Sequence, residues 1–354
     1  MKSVTIKDVA REAGVSTASV SRVLNGVGRV GADARLRILA AAERLRYIPH
    51  EGARSLITRR TDTIGMILPD LHGEYFSELL RGADAAAREH GLHLLVSTSH
   101  GSAVEASAAI RSMRGRVDAL LIMSPHLDGP SITESLPPSL PTVLLNAHGS
   151  EERPCVDVQD YEGAEMMVRH LASRGRNRIA HISGPAGNRD AQERLRGYLN
   201  SRPLALDEQY IVPGDFTAAS GYRAGLALGA LQPLPDAIFA ANDVMAAGCI
   251  EALNSLKIPV PEQVAVGGFD DVPLARFLRP ALTTMRVRVA DLGRKALERV
   301  VDLMANPHAE AGVARVLPEL IVRESCGHTG RTSSLDNRLV ETEPGLGRYV
   351  QCQS

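Results

Sequence analysis

The sequence predicts an α/β protein that carries a small all-helical unit at its N-terminus. Two patterns predict this class. Three short amphipathic helices fit into the first 48 residues, and from about residue 61 apolar, strand-like runs alternate with alanine-rich amphipathic stretches. The chain has 354 residues, 44% of them hydrophobic and 23% charged, which is typical of a globular protein with two or three domains.

Signals for helix starts mark the N-terminal unit. Thr5 and Asp8 have the spacing of a capping box, so a first helix begins after Thr5. Ser16 is placed to cap a second helix over 17–24, and a third helix is predicted over 33–45. Apolar residues recur at helical spacing in all three segments, so the helices can share a small core.

One face of the second predicted helix is left without apolar residues. The residues on this face are spaced one, three or four positions apart, so they lie side by side on the helix. They carry small side chains and one arginine, namely Thr17, Ala18, Ser21, Arg22 and Asn25. This arrangement indicates a helix-turn-helix whose second helix enters the major groove of DNA.

The charge distribution is uneven. Residues 1–60 contain twelve Lys and Arg against five acidic residues, a net +7, and the remainder carries 28 basic and 36 acidic residues, a net −8. A basic N-terminus indicates contact with a polyanion, and a solvated basic face is the alternative.

Strand and helix patterns alternate through the rest of the chain. Predicted strands cover 63–68, 93–97, 119–123, 142–145, 178–182, 237–240, 264–268 and 317–322. Predicted helices cover 75–90, 103–113, 161–174, 189–200, 217–229, 243–255 and 290–305. Such alternation builds parallel sheets, and open parallel sheets bind ligands at the carboxyl ends of their strands.

Other classes of protein lack support in the sequence. No apolar run reaches the roughly 18 residues that span a bilayer, and the N-terminus is too polar for a signal peptide, so we expect a cytoplasmic protein. The four cysteines are far apart and suggest neither disulfides nor a zinc site. No GxxxxGK[ST], GxSxG or HExxH motif occurs, so we expect no enzyme, no cofactor and no metal.

The segment 4–25, VTIKDVAREAGVSTASVSRVLN, resembles the DNA-binding signature of the lactose/galactose repressor (LacI/GalR) family of transcriptional regulators. The resemblance covers residues 4 to about 326 and continues through YIP at 47–49, ARSL at 53–56, IAHISG at 179–184, RLRGY at 194–198, AND at 241–243, GFDD at 268–271 and LTTM at 282–285. It implies a core like that of periplasmic binding proteins, with two lobes around a ligand and three chain crossings between them.

The resemblance also implies domain boundaries. A helix-turn-helix domain would cover 1–48, a hinge helix 49–60, and a two-lobed core for effector binding and dimerisation 61–326. Within the core, one lobe would comprise about 61–160 and 290–316, and the other about 161–289 and 317–326. The polar, aperiodic tail at 327–354 is expected to be disordered.

Carried over by position, the family's DNA contacts fall on a set of small side chains and one arginine. Thr17, Ala18 and Arg22 would read base edges, since arginine can bond guanine with two hydrogen bonds. The residues expected to hold the DNA backbone are Thr5, Ser16, Ser19, Ser21 and Asn25. Ser16 as a helix cap alone, and Arg22 as a solvated side chain, are the alternatives.

The segment 50–58 looks like the family's hinge helix, in which Leu56 would enter the minor groove of operator DNA and kink it. A linker leucine packed on the core is the alternative. This sequence has His50, Glu51 and Gly52 at the start of the segment, and Gly52 lowers helix stability by up to about 1 kcal/mol.

Candidate effector-binding residues follow predicted strands. Arg194, Asn242 and Asp270 supply donor, mixed and acceptor groups that suit the hydroxyls of a sugar or sugar acid. The other candidates are aromatic residues that would stack on the ligand and weaker polar ones, namely Tyr75, Phe76, Phe216, Asp70, Ser124 and His126. An ion pair between lobes is the alternative for Arg194 and Asp270, and plain core is the alternative for Phe76.

These patterns and the resemblance together predict an operator-binding repressor controlled by a small carbohydrate-like effector. Its expected partners are double-stranded operator DNA, the effector and a second copy of the chain, because two-fold symmetric DNA contact requires a homodimer. A regulator responsive to purines or another metabolite is the alternative within this fold. A solute-binding protein without a DNA function and a sugar-metabolising enzyme are rivals from other classes.

Overall fold

The computed structural model describes residues 4–24, 28–47, 60–123, 125, 136–137, 139–147, 153–203, 208–306 and 312–327. Most predicted helices are found within a residue or two of the expected bounds. They are α1 (Ile6–Ala13), α2 (Thr17–Leu24), α3 (Ala32–Arg44), α4 (Glu74–Glu89), α5 (Ala103–Met113), α6 (Asp160–Ser173), α7 (Arg189–Ser201), α8 (Ala218–Gly229), α9 (Asp243–Ser255) and α10 (Val289–Ala305). No described helix is long and apolar enough to cross a bilayer.

The strands form two six-stranded sheets. They are β1 (Thr63–Leu68), β2 (His93–Thr98), β3 (Ala119–Met123), β4 (Thr142–Leu145), β5 (Cys155–Val158), β6 (Ile179–Ser183), β7 (Ile211–Pro213), β8 (Ala237–Ala240), β9 (Ala265–Asp270), β10 (Thr283–Arg286), β11 (Val313–Val316) and β12 (Glu319–Ile321). The orders are β11-β5-β4-β3-β1-β2 and β12-β10-β9-β8-β6-β7. All pairs are parallel except β10 with β12.

The N-terminal unit folds as a small helical domain around its own core. The backbone N–H of Thr5 donates to Oδ2 of Asp8 at 3.0 Å, which forms part of the predicted capping box at the start of α1. Gly14 ends α1 in the left-handed conformation, with φ of 63°. Val20 of α2 and Ile38 of α3 are fully buried in the core that the three helices share.

Each sheet is covered by helices on both faces, which gives two lobes. In the first lobe, which contains β1–β5 and β11, α4 and α10 pack together on one face and α5 covers the other. In the second lobe, which contains β6–β10 and β12, α6 pairs with α7 and α8 with α9. Parallel sheets require this cover because both faces must be buried.

The chain crosses between the lobes three times, from β5 to α6, from β10 to α10 and from β11 to β12. The start of the first lobe is fixed by a carboxylate. The N–H and hydroxyl of Thr61 donate to Oδ1 of Asp118 at 2.7 and 2.8 Å, and the N–H of Asp62 donates to its Oδ2 at 2.9 Å.

The sequence prediction missed four strands, and it placed the start of one strand too early. The missed strands β5, β7, β10 and β11 are only three or four residues long. The predicted strand 317–322 contains β12 but begins too early, at the junction with β11, and these two strands belong to different sheets. Pro318 lies between them and cannot donate a backbone hydrogen bond, so the ladder stops there.

Helices α4 and α10 approach so closely that glycine is required at their contact. A Cβ on Gly82 would lie 1.8 Å from the carbonyl oxygen of Ala290, and one on Gly293 would lie 2.1 Å from that of Leu79. We therefore expect Gly82→Ala to lower stability by about 1–3 kcal/mol through overpacking, measured as a fall in the denaturation midpoint.

Gly187→Ala is the matched control, because a Cβ there would have no neighbour within 4 Å. This control is expected to unfold like the unmodified chain. Equal midpoints for the two variants would show that the α4–α10 contact tolerates a methyl group.

Candidate functional site

The first candidate site is the exposed face of α2. Val20 and Val23 point into the core of the N-terminal unit, which turns Thr17, Ala18 and Arg22 to the outside, where all three are exposed. Within the described chain, Arg22 has no carboxylate partner. An arginine and two small side chains on one helix face can approach base edges without a bulky neighbour in the way.

The residues expected to hold the DNA backbone also have local roles. The hydroxyl of Ser16 accepts from the N–H of Ser19 at 3.1 Å, so it does cap α2. The hydroxyl of Thr5 donates to Asp8 at 2.7 Å. Ser19 and Ser21 are half-buried beside the exposed face. Two further predicted DNA contacts, Asn25 and Leu56, lie outside the described residues, as does most of the predicted hinge helix.

The second candidate site is a cleft between the two lobes. It has a volume of about 740 Å³ and lies at the carboxyl ends of strands from both sheets. Seven residues predicted to bind the effector line it, namely Asp70, Tyr75, Phe76, Arg194, Phe216, Asn242 and Asp270. The other two polar candidates, Ser124 and His126, lie outside the described residues.

Arg194 on α7 is the central group at the floor of the cleft, and it is 5% exposed. Its Nε donates to Oδ1 of Asp160 at 2.7 Å, and one terminal nitrogen lies 3.3 Å from Oδ1 of Asp270. Its other terminal nitrogen donates to the carbonyl of Ala241 at 2.5 Å, and the guanidinium stacks over the Phe269 ring at 3.8 Å. The alternative given for these two residues was an ion pair between lobes; the ion pair is present, but it lies within the second lobe and does not join the two lobes.

The backbone at the end of β9 is unusual. Asp270 and Asp271 have φ of 103° and 55°, which non-glycine residues rarely adopt. Asp271 is held by Arg323 at 2.7 Å and by Arg286 at 2.6 Å, and these contacts fix the turn that presents Asp270 to the cleft. Burial raises the pKa of Asp270, although the positive charge of Arg194 opposes the shift.

Asn242 positions neighbouring structure as well as lining the cleft. Its Oδ1 accepts from the N–H of Met245 at 2.9 Å and caps α9, and its Nδ2 donates to the carbonyl of Phe216 at 3.2 Å. Phe216 has a φ of 67°, so the amide of Asn242 stabilises the loop that carries this aromatic ring.

Sequence reasoning missed a set of contacts between the lobes. Asp190 on α7 is 5% exposed, lines the cleft and accepts from Nδ2 of Asn146 at 3.0 Å across the lobe boundary. Glu74 at the start of α4 accepts from the N–H of Leu274 at 2.9 Å, also across the boundary. Asp190 precedes Arg194 by one helical turn, and that spacing was the signal that could have identified it.

Tyr75 lies close to the same carboxylates. Burial, followed by the negative charges of Asp270 and Asp190, holds the pKa of its hydroxyl well above the usual value. The phenol therefore remains protonated and can donate a hydrogen bond inside the cleft. Among the residues that the structure describes, no group of three His, Cys, Asp or Glu side chains is arranged to hold a metal ion.

Two known families match the chain. Residues 5–50 match "Bacterial regulatory proteins, lacI family", and residues 168–326 match "Periplasmic binding protein-like domain". The chain is 33% identical over 328 residues to the ribose operon repressor of Escherichia coli (strain K12), covering 91% of this chain and 99% of that protein. It is 33% identical over 330 residues to the HTH-type transcriptional repressor PurR of Edwardsiella ictaluri (strain 93-146), covering 91% and 96%.

Solved structures share the fold. The lac repressor dimer bound to operator and the anti-inducer ONPF superposes with a TM-score of 0.82 at 27% identity, covering 92% of this chain and 99% of that one. The complex of the transcriptional regulator CelR with cellobiose gives a TM-score of 0.69 at 30% identity, covering 91% and 99%.

Proposed function

Because the chain belongs to the lacI family of bacterial regulatory proteins, we propose that it is a repressor whose α2 reads operator DNA and whose cleft binds a carbohydrate-like effector. It is a DNA-binding transcriptional regulator of this family. We propose that its role is regulatory rather than catalytic and that it acts in the cytoplasm. The observation that carries the DNA-binding site is the exposed face of α2, where Thr17, Ala18 and Arg22 stand opposite the buried Val20 and Val23.

The chemistry of the cleft supports a polyhydroxylated effector. Carboxylates at Asp190 and Asp270 accept hydrogen bonds, the guanidinium of Arg194 donates them, and the rings of Phe76 and Phe216 offer apolar faces. Mixed donors and acceptors beside aromatic rings suit the vicinal hydroxyls and apolar faces of a sugar ring. Two similar proteins, a ribose operon repressor and the regulator CelR in complex with cellobiose, agree with this ligand class.

A purine effector is the second candidate, and one observation favours it. Three aromatic side chains, Tyr75, Phe76 and Phe216, line the same cleft, and a planar base can stack against such rings. PurR is among the similar proteins. Thermal-shift screening of sugars, polyols and purines distinguishes the two candidates, because a ligand at 100 times its Kd adds about 2.7 kcal/mol of stability.

We also propose that the chain acts as a homodimer, as the lac repressor does in its operator complex. Exposed apolar side chains are available for such a contact. On the edge strand β2, Leu95 and Val96 are 38% and 36% exposed, and Phe277 in the second lobe is 75% exposed. Unpartnered edge strands and exposed aromatic rings are common in subunit interfaces.

The operator is expected to be an inverted repeat. A two-fold symmetric dimer places two copies of α2 in successive major grooves, so half-sites should be about one helical turn apart, roughly 34–36 Å, or a multiple of it. Selection of bound duplexes from a random DNA pool measures this directly. Recovery of single, unrepeated sites would contradict the dimeric model of binding, and recovery of no consensus would contradict specific recognition by α2.

A further inference from the structure

The turn 270–272, which follows β9, carries two cleft residues on a strained backbone. Asp270 and Val272 line the cleft, and Asp271, which stands between them, does not. Asp270 and Asp271 have φ of 103° and 55°, a region that residues with a Cβ rarely adopt. Such a backbone persists only where the surrounding structure holds it in place. The position of Asp270 in the cleft therefore depends on what holds this turn.

Hydrogen bonds from the backbone join the turn to neighbouring elements. The N–H of Val272 donates to Oδ2 of Asp243 at 2.9 Å, and the carbonyl of Asp270 accepts from the N–H of Val287 at 3.1 Å. Both bonds must break when the turn moves away from its neighbours. The two donating N–H groups therefore report whether the turn is closed.

The carboxylate of Asp271 is buried among arginines. Its side chain is only 1% exposed. Oδ1 lies 2.7 Å from Nη2 of Arg323, and Oδ2 lies 2.6 Å from Nε of Arg286 and 3.9 Å from Nη2 of Arg276. Opposite charges attract more strongly away from water, and a buried ion pair is costly to break. The carboxylate of Asp271 is therefore the anchor of the turn.

Arg323 is held rigidly, and it lies outside the cleft. It follows β12, its side chain is 3% exposed, and it is not one of the residues that line the cleft. Its Nη1 donates to the carbonyl of Leu282 at 2.8 Å, and its backbone N–H donates to the hydroxyl of Thr283 at 2.8 Å. Thr283 begins β10, which pairs with β9. Arg323 thus fastens the anchor of the turn to the sheet.

We propose that Asp271 is a positioning residue for effector binding, and that Arg323 sets effector affinity through it without touching the effector. The inference rests on the proposed effector-binding role of the cleft. While Arg323 holds Asp271, the turn keeps Asp270 at 3.3 Å from Arg194, so both groups are in place before the effector arrives. A binding group whose support is loosened must be ordered again when the ligand binds. Loss of Arg323 is therefore expected to weaken effector binding about tenfold.

Arg323→Gln tests this role, because Asp271 keeps its 2.6 Å contact with Arg286 and is not left unpaired. Ribose, glucose, cellobiose and adenosine are titrated against the full chain by calorimetry. The tightest binder is then titrated against Asp270→Asn, Arg323→Gln and the double variant. The double variant should bind no more weakly than Asp270→Asn, because both changes act on the same contact. An unchanged affinity in Arg323→Gln, or losses that add in the double variant, would overturn the proposal.

Arg323→Lys is the conservative variant. It keeps a positive charge beside Asp271, so it should recover much of the affinity that Arg323→Gln loses. Arg174→Gln is the matched control, because Arg174 is an exposed arginine that donates to the carbonyl of Gly327 at 3.0 Å and so contacts the same C-terminal segment. This control should bind like the unmodified chain. Equal weakening in Arg174→Gln and Arg323→Gln would show a general loosening of the segment and refute the specific role of Arg323.

Amide hydrogen exchange tests the position of the turn without a ligand. Exchange at the N–H groups of Val272 and Val287 should be faster in Arg323→Gln and unchanged in Arg174→Gln, because opening of the turn exposes both groups to water. Arg286→Gln releases the other carboxylate oxygen and gives the same test if Arg323→Gln does not fold. If none of the four compounds binds and exchange is faster, the proposed effector class is wrong and the positioning role stands. Unchanged exchange in both variants overturns the proposal, whichever compound binds.

Discussion

Arg194→Ala is expected to lower the free energy of unfolding by about 3–5 kcal/mol, because it leaves buried carboxylates without their cation. Asp160 and Asp270 both contact this guanidinium, and all three groups are no more than 6% exposed. Chemical denaturation, followed by circular dichroism, measures the change. The matched control is Arg196→Ala on the same helix, whose guanidinium is 60% exposed and pairs at the surface with Glu193.

Arg196→Ala should change stability by less than about 1 kcal/mol. If the two variants unfold at the same denaturant concentration, the charge cluster does not stabilise the second lobe.

Asp270→Asn separates stability from ligand binding, because Arg194 keeps its 2.7 Å contact with Asp160. This milder variant should fold and bind operator, and it should bind effector at least tenfold more weakly, since a charged hydrogen bond contributes about 1.5–3 kcal/mol.

Arg22→Ala is expected to abolish the preference for operator while leaving weak binding to any duplex. The guanidinium is exposed on α2, and a bidentate contact with a base is worth about 1–3 kcal/mol of discrimination. Contacts with phosphates remain, so the residual affinity should still fall steeply with salt. Gel-shift titrations of the selected operator and a scrambled duplex, at several salt concentrations, measure both quantities.

Arg35→Ala provides the comparison, since Arg35 is an exposed arginine of α3 rather than of α2. It should leave the ratio of the two affinities unchanged. If Arg22→Ala weakens binding to operator and scrambled DNA by the same factor, Arg22 contacts phosphate and does not read sequence.

The N-terminal unit was predictable because its signals are local. The capping box of Thr5 and Asp8, the left-handed Gly14 and the cap at Ser16 each act within a few residues of chain. The short strands were not predictable in the same way. β5 pairs on one side with β11, and β10 pairs on one side with β12, and both of these partners lie much later in the chain. A run of four residues also carries too little periodicity to distinguish strand from loop.

The residues of the cleft were likewise only partly predictable from the sequence. Asn242 and Asp270 could be selected because each lies at or just after the end of a predicted strand, where open parallel sheets bind ligands. Arg194 lies within α7, and it was selected through the family motif RLRGY at 194–198. Their pairing could not be predicted, since the contact of Arg194 with Asp160 joins two helices that become neighbours only in the folded lobe. The contact between Asn146 and Asp190 requires both lobes to be in place, so no local pattern encodes it.

The carboxylate of Asp118 has a mechanical consequence. Its hydrogen bonds to Thr61 and Asp62 tie the last residues before β1 to the body of the first lobe. Any rotation of that lobe therefore carries Thr61 and Asp62 with it. One half-buried carboxylate thus makes the two residues before β1 part of the rigid body of the first lobe, so this lobe and the chain that enters it move as one unit.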